Sequence, residues 1–384
     1  MMRSALLAIA RAVAGLVAAT MLAAPVMAQQ TVGPQLPRPA NILIDFGTKK
    51  IVKSSVTGDA GVLGRAVSAN DPVRVASISK LVTAMAAMRL VDEGKLDLDR
   101  DINLYLGYSI RNPAYPDVPI TMRLLLTHRS SIRDGIDYIM PLDGEIKTVL
   151  TNPKAWHENH APGTWFNYAN LNSPVIGATL EAASGERFDK LVARTVLTPL
   201  KIDGCFNWHT GCSANRRLQA VTLLRPNGDL AKDAAVTAPE ACTLVRATDG
   251  SCDVARYRLG VNGSAFSPQG GLRISPGDLL KIGQVLLNKG RPILTRKAFA
   301  EMTKEQWHFN GENGDDEKGY FTAYGIGIHM LADKQGAVWW GHVGEAYSLR
   351  AGLWVNPKTG KGLVRYVTMV DEFAPVGHCF DVCP

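Results

Sequence analysis

Beyond its N-terminal segment the chain has no apolar stretch long enough to span a bilayer, which excludes a bundle of membrane helices. It has no internal repeat and no low-complexity tract, which excludes repeat-array architectures. It has no basic stripe interleaved with aromatics. The net charge of +7 is scattered, and serves solubility rather than nucleic-acid binding. Cysteine is scarce, six in all, and no Cys-x-x-Cys pair or Cys/His cluster has the spacing of a zinc site. No metal or other cofactor, no nucleic-acid partner and no stable membrane insertion are therefore expected.

What is present begins with a targeting pattern. Arg3 and Arg11 supply positive charge, Leu6 to Ala24 is largely apolar, and Val26-Met27-Ala28 is a small-x-Ala cleavage site. Residues 1–28 read as a signal peptide. A retained anchor fits less well, because Arg11 interrupts the apolar run. The expected location is periplasmic or secreted. An even number of cysteines in an exported chain favours disulfides. Pairing neighbours gives Cys205–Cys212, Cys242–Cys252 and Cys379–Cys383, although sequence alone leaves the connectivity open.

Ser77-Ile78-Ser79-Lys80 opens a long apolar run that includes Leu81, Val82, Met85, Met88, Leu90 and Val91. The run predicts a buried helix stopped by Gly94. Thr121 caps a short helix ending at Thr127-His128, and His128 after three leucines reads as a buried, hydrogen-bonded residue. A helix over 174–183 is expected with Ser173 as cap and Gly185 past its end, another over 188–197, and another from Ser275-Pro276 to Leu287. Strands are expected at 41–46, around 50–56, and as four successive segments from Tyr324 onward. The segment 310–319 reads as a polar, mobile loop.

The pattern is β, mostly α, then β. The fold class is α/β, more closely α+β. An antiparallel sheet built from both ends of the chain is flanked by helices, with a mainly helical subdomain. Residues 29–40 would be a linker, 41–76 and 255–384 the sheet domain, 77–200 the helical domain, and 201–254 a disulfide-tied insertion.

Three short motifs carry chemistry. A serine hydroxyl needs a base close by, and Lys80 lies one helical turn from Ser77. Desolvation would lower the lysine pKa enough for it to take the proton. Alone, the same residues also read as an N-cap serine followed by a surface lysine. Tyr168-Ala169-Asn170 follows a Pro162-Gly163-Thr164 turn, and residues two apart in extended chain share a face. Tyr168 could pass protons, and the Asn170 amide could hold a lysine and a substrate carbonyl together. Alone, Tyr168 also reads as a half-buried tyrosine after a turn. Gly341-His342-Val343-Gly344 ends a predicted strand, and the backbone N–H of Glu345 could pair with that of Ser77 as an oxyanion hole. Alone, this is also a plain strand end.

The order of the three motifs resembles the penicillin-recognising serine hydrolases, in the class C β-lactamase-like branch that also holds esterases and D-amino-acid peptidases. The resemblance runs from about Ile42 to Val370 and includes Leu125-Leu-Thr-His128, Pro162-Gly-Thr164 and Gly270-Gly271-Leu272. It implies a β-lactamase/transpeptidase-like fold, acylation of Ser77, proton transfer by Lys80 and Tyr168, and substrate binding by Asn170, His342, Gly344 and Glu345. His342 would stand where the family often has the lysine of Lys-Thr-Gly. The literal Lys358-Thr359-Gly360 falls in a proline turn and is set aside. Arg129-Ser130-Ser131 lacks the family's glycine. The implied activity is an exported serine hydrolase acting on small-molecule esters, amides or cell-wall peptides. D-alanyl-D-alanine carboxypeptidase, β-lactamase and a non-catalytic cell-wall-peptide binder are the alternatives. Because histidine lacks lysine's permanent charge, uncharged esters are expected to be preferred over anionic β-lactams at neutral pH, the gap narrowing toward pH 6.

Overall fold

Residues 41–46 alternate, so Ile42, Ile44 and Phe46 face one way and are buried, and the segment forms strand β1 (Asn41–Phe46). The protein is described from a computed structural model at residues 36–61, 64–208, 210–231, 242, 244–371 and 383–384. The expected signal peptide and Cys379 lie outside the described residues. The fold below is that of the unit Pro37–Pro384.

The strands are β1, β2 (Ile51–Thr57), β3 (Val73–Arg74), β4 (Arg273–Ile274), β5 (Trp307–His308), β6 (Ala323–Tyr324), β7 (His329–Ala332), β8 (Val338–Ala346), β9 (Leu349–Asn356) and β10 (Lys361–Thr368). Eight of them form one antiparallel sheet in the order β2-β1-β10-β9-β8-β7-β6-β5, while β3 and β4 pair separately. β1 lies against β10, with Ile44 opposite Val364, so the two ends of the chain do meet in one sheet. β2 is an exposed edge whose middle, Lys53, Ser54 and Ser55, is polar and discourages further pairing, while Ile51 and Val52 are exposed at its start.

The α-helices are α1 (Ile78–Asp92), α2 (Asn103–Leu106), α3 (Met122–Leu126), α4 (Ile146–Val149), α5 (Asn172–Ser184), α6 (Phe188–Val192), α7 (Ala214–Leu218), α8 (Pro276–Leu287) and α9 (Arg296–Thr303). α1 is apolar all round and is buried from Ile78 to Met88. It packs against β8 and β9 of the sheet and against α5, α6 and α9. Thr121 and Ser275 cap α3 and α8 through their side chains, as expected. α8 crosses the sheet at Gly283, where a Cβ would fall 2.5 Å from the Phe46 ring. A glycine inside a helix costs about 1 kcal/mol relative to alanine, and here it permits this close approach.

Four differences from the sequence reading matter for the site. α5 begins at Asn172 rather than Pro174, and Ser173 is not its cap. The Asp134 carboxylate, distant in sequence, accepts the N–H groups of Asn170 and Leu171 instead. The expected strand from Tyr324 is broken at Gly325–Ile328 into β6 and β7. At Gly327 (φ 64°) a Cβ would fall 2.3 Å from that of Ala84, so the turn there seats the sheet on α1. β8 does not end at Gly344; it continues to Ala346 and turns through Tyr347 and Ser348, both at positive φ. The 310–319 loop is tied down, since Asn313 O accepts the Phe166 N–H at 3.0 Å and Asp315 N–H donates to Phe166 O at 2.9 Å.

Cys205–Cys212 and Cys242–Cys252 are bridged. Cys383 is also disulfide-bonded. Lys358-Thr359-Gly360 lies in the β9–β10 turn, where Asn356 Oδ1 accepts the N–H groups of Lys358 and Thr359 at 3.0 Å each.

Candidate active site

Ser77 is the N-cap residue of α1, yet its hydroxyl makes no capping bond to the helix. The turn that presents it is locked from behind. Ala76 adopts φ 46°, a left-handed conformation that a non-glycine residue holds only when its surroundings impose it. The Ser79 hydroxyl donates to Ala76 O at 2.6 Å and accepts the Leu272 N–H at 2.9 Å. Val75 N–H donates to Leu272 O at 2.9 Å, and β3 pairs with β4 just before it. The Gly270–Leu272 segment is thus the back wall of the serine turn.

Lys80 is 6% exposed, and its Nζ has three oxygen neighbours: Ser77 Oγ at 3.0 Å, Asn170 Oδ1 at 2.8 Å and the Gln269 carbonyl at 3.2 Å. The two carbonyl oxygens can only accept. A neutral amine has two N–H groups to give them, which leaves its lone pair directed at the serine hydroxyl. Burial pushes the Lys80 pKa down to about 7, and the Asp134 charge works in the opposite direction.

The Tyr168 ring stacks on Phe321, with centroids 4.9 Å apart, and lies 4.5 Å from the His128 ring. Lys80 Nζ sits 4.8 Å from its centroid. Burial raises the Tyr168 pKa far above its ordinary value, although a hydrogen bond with Ser77 works against that rise. His128 is buried, and its Nδ1 accepts the Ala169 N–H at 3.1 Å, which fixes the backbone between Tyr168 and Asn170. Burial lowers the His128 pKa, so it is a neutral support.

β7 pairs with β8 only from Val338 to Gly341, whereas β9 pairs from Trp340 to Ala346. Among the described residues, the far half of β8 therefore has a strand partner on one side and faces the serine turn on the other. Gly344 is what lets it approach. A Cβ there would fall 2.1 Å from Val75 O and 3.4 Å from the Ala76 Cβ. Gly344→Ala is expected to push β8 off the serine turn and lower kcat/KM by ~10²-fold or more, in the range for loss of an oxyanion donor. Steady-state kinetics on an ester, with circular dichroism confirming the fold, checks this.

Ser77, Asn170, Gln269, Glu345, Arg74 and Tyr347 line a cleft of about 100 Å³. Like Lys80 and Tyr168, His342 is not among its walls. It is 1% exposed, behind Tyr168, at 6.0 Å between ring centroids. Its Nδ1 lies 2.6 Å from Val343 O and must donate, so Nε2 accepts from the Tyr324 hydroxyl at 3.2 Å. Burial pushes its pKa down to about 3, with the Lys80 charge acting in the same direction. The expected narrowing of substrate preference toward pH 6 is thereby corrected, because this histidine does not gain charge there.

The structure thus brings together Ser77, Lys80, Tyr168 and Asn170, with Gly344 and Glu345 alongside, and leaves the His342 ring behind them. Sequence reasoning missed Ser79, Asp134 and the Gln269 carbonyl. The Gly270-Gly271 pair was the nearest signal for Gln269; Asp134 and Ser79 carried none. Among the described residues no group of three or more His, Cys, Asp or Glu side chains is placed to hold a metal ion, and no helix is long and apolar enough to cross a membrane.

A family model described as Beta-lactamase matches residues 37–377. The D-alanyl-D-alanine-carboxypeptidase/endopeptidase AmpH of Escherichia coli (strain K12) is 23% identical over 311 residues, covering 78% of this chain and 68% of its own. Esterase EstB of Burkholderia gladioli is 30% identical over 161 residues, 37% of this chain and 40% of its own. The crystal structure of a D-amino acid amidase from Ochrobactrum anthropi SV3 superimposes with a TM-score of 0.63 at 18% identity and covers 88% of both chains, a likeness of fold.

Proposed function

The chain belongs to the beta-lactamase family and is a serine hydrolase, and from that premise we propose that it cleaves carboxylic esters or amides through an acyl-enzyme on Ser77. The observation that carries this reading is the placement of Lys80 Nζ 3.0 Å from Ser77 Oγ, with its remaining hydrogens held by two carbonyl oxygens.

Neutral Lys80 takes the Ser77 proton as Oγ attacks the substrate carbonyl carbon. The oxyanion that forms is met by the N–H groups of Ser77 and Glu345. The C–O or C–N bond breaks, and the leaving group takes a proton through the Tyr168 hydroxyl, which Lys80 replenishes. Water then hydrolyses the acyl-enzyme by the same steps. Lys80 is the base in this scheme because its pKa is about 7, whereas burial drives Tyr168 away from ionising. Asn170 contributes Oδ1 to Lys80; one Nδ2 hydrogen goes to Asp134, and the other remains for a substrate carbonyl.

The N-terminal pattern and the disulfides support export to the periplasm or medium. AmpH and EstB, by their names a D-alanyl-D-alanine peptidase and an esterase, support an ester or a D-configured peptide as substrate.

A serine-directed fluorophosphonate is expected to add one adduct, mapped by peptide mass to Ser77 and absent from Ser77→Ala. Folded protein that takes no label, or ester turnover that survives Ser77→Ala, overturns the assignment. Slow binding of D-Ala-D-Ala peptides without turnover of any ester, amide or β-lactam would instead make the chain a binder.

A further inference from the structure

We propose that Asp134 is a positioning residue for the Lys80–Ser77 pair, holding the Asn170 amide in the one orientation that accepts from Lys80. The inference rests on the reading of Lys80 as base and adds a residue outside the three motifs.

An asparagine amide looks nearly symmetric to its surroundings, and its neighbours decide which end is oxygen. Asp134 Oδ2 lies 3.0 Å from Asn170 Nδ2. A carboxylate oxygen accepts only, so the amide end facing Asp134 is the NH2 group and the end facing Lys80, at 2.8 Å, is the oxygen. The same carboxylate grips the backbone on which the amide hangs. Oδ2 accepts the Asn170 N–H at 2.9 Å and Oδ1 accepts the Leu171 N–H at 2.8 Å. An unbroken chain of contacts therefore runs Asp134–Asn170–Lys80–Ser77. A flipped amide would turn its NH2 group toward the lysine and remove one of the acceptors that aim the lone pair at the serine.

The carboxylate also acts through charge. A hydrogen bond from Nδ2–H to an anion polarises the amide and makes Oδ1 a stronger acceptor. Several other groups face Lys80. The neutral rings of His128 and His342 would oppose its charge if protonated, Tyr168 presents its ring face, and Ser77 its hydroxyl. The Asp134 charge also acts on Tyr138 and Tyr168, disfavouring the ionised form of both. Of the charges acting on Lys80, Asp134 favours the ammonium. Its removal should therefore lower the Lys80 pKa.

Capping of α5 alone would also explain the two backbone contacts, so the test separates the two roles. Asp134→Asn loses the charge and replaces one acceptor end with a donor, so it no longer dictates which end of the Asn170 amide faces it, and Asp134→Ser keeps a capping oxygen but cannot reach the amide. Both are expected to slow fluorophosphonate labelling of Ser77 at pH 9 by ~10-fold or more, on the scale of a misplaced supporting group. Lys80 is neutral in all forms at that pH, so the rate reports orientation. Both should also move the acid limb of kcat/KM for a neutral ester to lower pH than in the wild type, because a less proton-avid lysine stays neutral further down. Unchanged labelling at pH 9 overturns the proposal, as does an unmoved acid limb accompanied by a fall in Tm, which is what a cap alone would give. A wild-type profile with no limb between pH 6 and 8 would instead sink the Lys80 base, while labelling at pH 9 still decides the role of Asp134.

Discussion

Lys80→Ala is expected to lower kcat by ~10²–10⁴-fold at pH 7.5, the range for a lost general base. The alanine also vacates a buried position at which Ser77 Oγ, Asn170 Oδ1 and the Gln269 carbonyl converge, so those groups lose a shared partner. Tyr168→Phe keeps the ring stacked between Phe321 and His128 and removes one hydroxyl. It is expected to cost ~10²-fold in kcat. The double variant should be only slightly worse than Lys80→Ala, because groups that act as a unit do not add. Wild-type kcat/KM should fall below pH ~7, as Lys80 is protonated there and cannot accept the serine proton. Kinetics of the three variants and a pH profile of the wild type check this. A Lys80→Ala enzyme within threefold of the wild type would remove the lysine from the proton path. If Tyr168→Phe alone were that mild, Lys80 would suffice.

The second large effect concerns substrate charge. β-Lactams and peptide C-termini carry a carboxylate near the scissile bond, and a hydrogen bond to a charged group is worth about 1.5–3 kcal/mol. With His342 neutral at every pH above about 3, that contribution is missing from the third motif. Anionic substrates should be handicapped by roughly 10- to 150-fold in kcat/KM relative to neutral esters, at about 1.4 kcal/mol per decade. The ratio of a chromogenic cephalosporin to a short p-nitrophenyl ester should stay flat between pH 8 and 6. Lys80 titrates in that range, but it enters the numerator and the denominator of the ratio alike and cancels. His342→Lys should raise the ratio, by less than a direct hydrogen bond would because position 342 lies behind Tyr168 and not in the cleft wall, with the acid limb monitored because a second cation beside Lys80 would lower its pKa further. Wild type that prefers the cephalosporin at pH 7.5, or a ratio indifferent to the substitution, overturns the charge argument. The cleft would then be drawing charge from Arg74, whose guanidinium lies 4.8 Å from the Tyr347 ring and whose Nε donates to Gly270 O.

Much of the fold was legible in local pattern. Alternation over Asn41–Phe46, the apolar run after Ser77, the threonine and serine caps at 121 and 275 and the Asn356–Gly360 turn all act within a few residues, so a short window of sequence holds the whole cause. The start of α5 was misread for the opposite reason. Ser173 is the local capping candidate, but a carboxylate 36 residues away supplies the acceptors. The break between β6 and β7 was missed because the Tyr324–Met330 segment has strand composition throughout, while the fit of Gly327 against Ala84 belongs to the packed sheet and helix.

The same division runs through the site. Sequence by itself determined which side chains could be brought together. A serine and a lysine three apart at a helix start must lie on neighbouring positions, and a Tyr-x-Asn in extended chain must present both side chains to one face. Tertiary structure alone decided what those groups can do. The Lys80 pKa comes from burial beneath the sheet and from Asp134, neither of which is near it in sequence. The orientation of Asn170 comes from that same distant carboxylate. The charge state of His342 is set by the burial of its ring against Tyr168 and Tyr324, where water does not reach it. Residue type and spacing are properties of the chain, whereas desolvation and long-range hydrogen bonding exist only once remote segments have packed together.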